Sequence, residues 1–282
     1  MNMGIIHCDF MLKVNTSLKP IYTFGVLFRL HNFNVLGHTM YKFFFLLLLL
    51  ICPSIMQAQT LESILQGYHA AIGGLDKYPQ NNPVIIKSQM QGGGGGEKRP
   101  MTFTLKAPKS SRMDLVIQAG LTYTMAYDGK QAWSIQPWTG SMDPQPMNAD
   151  DAKDAGRMIK FMWNDLMMTS NDGVQLQYIG KDEIEGSEVY KIKSTSADGS
   201  EIIYYLDVDS YLIIKWTSRS MNSGVLSESD TFLGEYQVLN GRTLPFVFEQ
   251  KMNGETMSST YIKEYLFNAS VSDAIFSMPV KQ

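Results

Sequence analysis

Met101-Thr102-Phe103-Thr104-Leu105-Lys106 alternates apolar and polar side chains without a fault. The alternation resumes at Met113, Leu115 and Ile117 against Arg112, Asp114 and Val116, and again at Leu121, Tyr123, Met125 and Tyr127 against Thr122 and Thr124. A period of two with one greasy side reads as half-buried antiparallel strands. The second half has the same texture through 174–181, 188–194, 201–207, 212–220, 227–238, 244–252 and 255–268. Turn residues separate these runs at Asp198-Gly199, Asn240-Gly241 and Asn253-Gly254, pairs suited to tight hairpins because both positions tolerate positive φ. The expected fold is mainly β, a meander of about eleven strands. So many strands should curl or close rather than stay flat.

Two segments have helical spacing instead. Thr60 is a suitable N-cap for Leu61, Ile64, Leu65, Tyr68 and Ile72, which end at Gly73-Gly74. Asn148 can cap a second helix whose first turn holds Asp150 and Asp151 and whose stripe is Ala155, Met158, Ile159, Met162, Trp163 and Leu166. Being inserted in a strand series, it is expected to cover the concave side of the sheet as a lid.

Of the 282 residues, 18% are charged and 44% hydrophobic, which excludes disorder. Residues 40–58 read as a cleaved signal peptide: Lys42, an unbroken apolar run from Phe43 to Cys52, Pro53, and Ala58 before Gln59. The run is about half the ~20 residues a membrane anchor needs. Residues 1–39 resemble neither leader nor domain and fit a start codon chosen too far upstream. Residues 59–282 are expected to be a single domain exported to the periplasm. Beyond residue 58 there are 20 basic and 26 acidic side chains, a net charge of about −6. That balance argues against nucleic acid as a partner.

Chemistry is scarce. Both cysteines (Cys8, Cys52) and three of four histidines precede residue 58, leaving His69. Thiolate nucleophiles, disulfides and multi-histidine zinc sites are thereby excluded from residues 59–282. His69 has no partner by spacing and reads as a rim residue. Gly92 to Gly96 lacks the Gly-Lys-Ser/Thr ending of a phosphate loop and is expected to be a hairpin loop. Asp207-Val208-Asp209-Ser210 lacks the glycine and glutamate of a calcium loop and fits a turn. Glu183/Glu185 and Asp150/Asp151 have bland explanations in a turn and a helix start. No catalytic residue, metal or cofactor is expected. What remains is apolar, with 14 of the 19 methionines after residue 58. Methionine adapts to flexible ligands but also fills core gaps, and periodicity alone favours the filled core.

A resemblance shifts that balance. Tyr127-Asp128-Gly129-Lys130-Gln131-Ala132-Trp133 with Pro137 and Gly140 resembles the "DGK..W...P" segment of periplasmic lipoprotein carriers of the LolA type and their outer-membrane lipoprotein-sorting relatives. Gly180-Lys181-Asp182, Val189-Tyr190-Lys191-Ile192, Tyr204-Tyr205-Leu206-Asp207, Leu244-Pro245 and Phe276-Ser277-Met278-Pro279 extend it in order. The resemblance implies an unclosed β-barrel covered by helices, no enzymatic activity, and a hollow for acyl chains of lipoproteins or lipids. The lining would be Phe103, Leu105, Leu115, Tyr123, Met125 and Trp133, with Met158, Met162, Trp163 and Leu166 on the lid. Inner- and outer-membrane sorting proteins would be partners. In an envelope sensor or structural protein, the same half-barrel would instead contact a protein. The carriers often place a basic residue before the proline of a "KRP" strand end to hold the lid. Here Ala107 precedes Pro108, and Arg112 or Arg99 substitutes only if the fold brings it beneath the lid.

Overall fold

A computed structural model describes residues 60–80, 82–167, 173–222 and 225–280. The expected start-site extension and signal peptide lie outside the described residues.

Helix α1 (Leu61–Ala71) begins as its sequence suggests. The Ser63 N–H donates to Thr60 Oγ1 and the Thr60 N–H to Ser63 Oγ, so two of the groups a helix start leaves unpaired are satisfied. Ile64 and Tyr68 form its buried stripe, and Gly73 and Gly74 end it at φ near +96°. Gly67 faces the Tyr211 ring, where a Cβ would lie 2.4 Å from a ring carbon. Gly67→Ala is therefore expected to destabilise by about 1–3 kcal/mol through overpacking, although alanine is the better helix former. A denaturation midpoint at or above wild type would contradict this close approach.

Thirteen antiparallel strands follow in one open sheet. The first group is β1 (Val84–Gly92), β2 (Arg99–Lys106), β3 (Ser110–Gln118), β4 (Leu121–Tyr127), β5 (Ala132–Ile135) and β6 (Gln145–Pro146). The second is β7 (Gln175–Ile184), β8 (Ser187–Thr195), β9 (Glu201–Asp207), β10 (Ile213–Asn222), β11 (Val225–Gly234), β14 (Val247–Met252) and β15 (Glu255–Phe267). A separate hairpin pairs β12 (Gln237–Leu239) with β13 (Arg242–Leu244). Each group is a meander, and β1 joins them by pairing with β15. The edges β6 and β7 do not pair, so the barrel stays unclosed. Asn240-Gly241 and Asn253-Gly254 turn their hairpins with both residues at positive φ.

The sequence missed β1. Its inward positions Val84, Ile86, Ser88 and Met90 include a serine, which blurs the alternation. Buried Ser88 is satisfied by donating to the Met101 carbonyl. The five-glycine run connects β1 to β2 as a hairpin, and 207–210 is a turn stapled by Ser210 on Asp207 Oδ1.

The inserted helix is a correction. Helix α2 (Ala149–Arg157) starts on Asn148, whose Oδ1 accepts from the Asp150 and Asp151 N–H groups. It stops nine residues later, and Met158–Phe161 is a 3-10 turn. The stripe beyond Arg157 is buried without a regular helix beneath it. Asn164 and Asp165 are responsible in part, because short polar side chains compete with helical hydrogen bonding. Asn164 Oδ1 accepts from the Leu166 N–H, and the Asp165 carboxylate is drawn to the sheet. The lid is thus a short helix followed by an irregular strap, residues 158–167.

Candidate functional site

Side chains alternate across the sheet, so its register decides which residues share the concave face. In the first group Phe103 faces Met113, Met101 faces Leu115, and Met125 faces Ser134, all inward. Phe103, Leu105 and Leu115 are buried there, with Tyr123 and Met125 half-buried beside them. The strap supplies Met158, Met162, Trp163, Leu166 and Met167, each buried in the same cluster. Phe161 stands in the middle, 5.1 Å from the Phe103 ring, 5.2 Å from Phe248 and 6.2 Å from Trp216. Nine of the ten expected lining residues therefore share one cluster or pack against it, and the space they would line is filled by their own side chains.

Trp133 is the exception. It pairs with Ala126, one residue out of phase with Met125, and so points to the convex face. There its indole N–H donates to the Phe276 carbonyl at 2.8 Å. The Arg112 guanidinium lies 5.6 Å from its ring while pairing with Asp114 and donating to the Ile275 carbonyl. A C-terminal segment is thus clamped over the outside of β3–β5. Arg112 is committed to that clamp, and Arg99 begins β2 as an exposed residue, so neither substitutes for the missing basic lid residue.

A different latch holds the strap. Asp165 is buried, and its Oδ2 accepts from Lys160 Nζ at 3.0 Å, Ser194 Oγ at 2.7 Å and the Tyr204 hydroxyl at 3.1 Å. Burial, and then the adjacent carboxylate, hold the Tyr204 phenol well above its usual range, so it remains a neutral donor. Asp165 Oδ1 has no partner among the described residues. Asn164 Nδ2 donates to the Tyr68 hydroxyl at 2.7 Å, His69 Nε2 lies 2.7 Å from the Leu166 carbonyl, and Ser111 donates to the Ala155 carbonyl. His69, expected at the rim, is half-buried against the strap. Residues from α1, β8 and β9 thus converge on the strap, and β3 holds the helix before it. Sequence spacing gave no hint of these pairs, because, Lys160–Asp165 apart, 29 to 97 residues separate their members.

An open cleft lies under β9–β11 and β14, away from most of the expected lining on β2–β5. A cleft of about 320 Å³ runs between those strands and the lid residues Asp154, Arg157, Met158, Lys160 and Phe161. Its apolar part includes Ile202, Tyr204 and Trp216, and its far wall is Ser218, Ser227, Ser229, Thr231 and Gln250. The volume is at the lower end of the roughly 300–1,000 Å³ of ligand sites. A second void of about 30 Å³ lies on the other side of Phe161 and Trp216, against Tyr68, Met162 and Leu244. Of the expected lining, Met158 meets the cleft and Met162 the small void. Among the described residues no group of three acidic, histidine or cysteine side chains suits a metal ion, and no helix is long and apolar enough to cross a membrane.

No protein-family model and no curated protein matches the chain. Solved structures do. A LolA superfamily protein from Nitrosomonas europaea is 14% identical, covering 78% of this chain and 98% of that one, with a TM-score of 0.53. A putative outer membrane lipoprotein-sorting protein domain from Vibrio parahaemolyticus is 10% identical over 76% of this chain and 94% of that one, at 0.52. A DUF1329 family protein from Desulfovibrio piger is 14% identical over 76% and 97%, at 0.51. At these identities the likeness is one of fold: the open antiparallel sheet of this chain resembles the folds of a LolA superfamily protein and of a lipoprotein-sorting protein domain.

Proposed function

We propose that the protein is a periplasmic carrier or binding protein for lipoproteins or other acylated molecules, that it acts without catalysis, and that the strap occupies the acyl site when no cargo is bound. The observation carrying this reading is the row Met158, Phe161, Met162, Trp163, Leu166 and Met167, apolar side chains laid on the concave face beside a part-empty cleft. The lipoprotein-sorting relative of the same fold supports the choice of cargo.

Magnitudes limit how far the lid moves. Burying a sixteen-carbon chain contributes on the order of ten kcal/mol, at ~0.8 per methylene, before ordering costs. Exposing one large apolar side chain costs about 1.5–3 kcal/mol. A single chain can thus displace Met158 and Phe161 but not the whole strap with its polar latch. Phe161 is the gate: it lines both the cleft and the smaller void, together with Lys160 on the lid side and Trp216 on the sheet. Phe161→Ala is expected to join the two spaces and raise affinity for a fluorescent fatty-acyl probe several-fold. Unchanged or weaker binding would remove Phe161 from that role.

The direct test is titration of the purified protein with that probe, alongside native mass spectrometry for co-purifying lipid. Saturable binding of about one probe per chain is expected. Its absence, with a clean apo mass, would overturn the carrier. A second reading, an envelope sensor or structural protein that contacts a protein partner, is favoured by the packed interior beneath α2. It predicts no acyl uptake even in Phe161→Ala. Inner- and outer-membrane sorting proteins are the proposed donor and acceptor for the carrier.

A further inference from the structure

The far wall of the cleft does not suit an acyl chain alone. Ser218, Ser229 and Thr231 occupy successive inward positions on β10 and β11, with Ser218 directly opposite Ser229 and Thr231 opposite Gln250 on β14. Directly opposed residues hold their side chains about 4.5–5.5 Å apart, so these groups form one continuous patch. None of the four has a side-chain partner among the described residues. Three buried hydroxyls elsewhere on the concave face, Ser88, Ser111 and Ser194, each donate to a protein oxygen. The hydroxyls and the amide of the far wall instead face the cleft.

The charges in the lining are already matched. Arg157 pairs with Asp154 at 2.8 Å and donates to Ser200, and Lys160 pairs with Asp165 at 3.0 Å. An anionic headgroup would have to displace a carboxylate, whereas an uncharged hydrogen-bonding group meets the Ser/Thr/Gln wall with no competitor but water.

We infer that this wall is a headgroup subsite, and that the ligand is an amphiphile whose acyl chain is joined to an uncharged, hydrogen-bonding headgroup. This rests on the acyl-binding reading and names its ligand class. Two sources share the chemistry, a sugar headgroup and the peptide backbone that follows an acylated residue.

The test is calorimetric titration of the purified protein with dodecyl maltoside, an N-dodecanoyl tripeptide amide and dodecanoate, all below their micellar concentrations. At least one neutral amphiphile is expected to bind more tightly than dodecanoate, and the tighter of the two identifies the source. The triple variant Ser218→Ala, Ser229→Ala, Thr231→Val is expected to lose about tenfold or more in affinity for that ligand, with dodecanoate affinity unchanged. Dodecanoate binding as tightly as both neutral amphiphiles would overturn the subsite, as would an unaffected triple variant. A protein that binds none of the three would overturn the acyl-binding reading itself.

Discussion

Asp165→Ala is expected to lose about 3–5 kcal/mol of stability in urea denaturation, the usual cost of removing one partner of a buried ion pair. Asp165 is fully buried and Lys160 is 19% exposed, so solvent screens the pair little. The substitution strands more than the ammonium, because Ser194 and Tyr204 both donate to the lost oxygen. The double variant Lys160→Met, Asp165→Leu is expected to recover part of the loss, since apolar replacement of a buried pair is often tolerated. It leaves the Ser194 and Tyr204 hydroxyls without the carboxylate that accepts from them, so recovery falls short of wild type. A loss below 1 kcal/mol in Asp165→Ala would show that the latch does not hold the strap.

Trp133→Ala is expected to be as costly, about 3–5 kcal/mol, for an unrelated reason. It empties a large buried volume on the convex face and removes the hydrogen bond to the Phe276 carbonyl. Because the concave face is untouched, affinity for an acyl probe should be that of wild type, measured at a temperature where the variant remains folded. A selective loss of probe binding with normal stability would mean that Trp133 lines the hollow after all.

Trp133 also marks where the sequence stopped being legible. The period of two identified β2, β3 and β4 and their inward residues, because each runs unbroken with one greasy side. It does not carry through the Asp128-Gly129 turn, so the phase of β5 had to come from the register with β4. The second helix was legible in its cap and first two turns, which local rules govern. Its end was not, because Asn164 and Asp165 are held by Tyr68, Ser194 and Tyr204, residues distant in the chain. The cleft was hidden for a related reason. Ser218, Ser229 and Thr231 sit at inward positions yet read in the sequence as ordinary polar strand residues.

In the proposed carrier, residues 158–167 occupy the place of an acyl chain and yield part of it to cargo. Hydrogen exchange across this segment, with and without a saturating fatty-acyl ligand, tests that most directly. Faster exchange at 158–162 on binding is expected, with β9–β11 unchanged or slower and the segment from Asn164 onward still protected by its latch. Saturable binding that leaves 158–162 as protected as before would contradict the account.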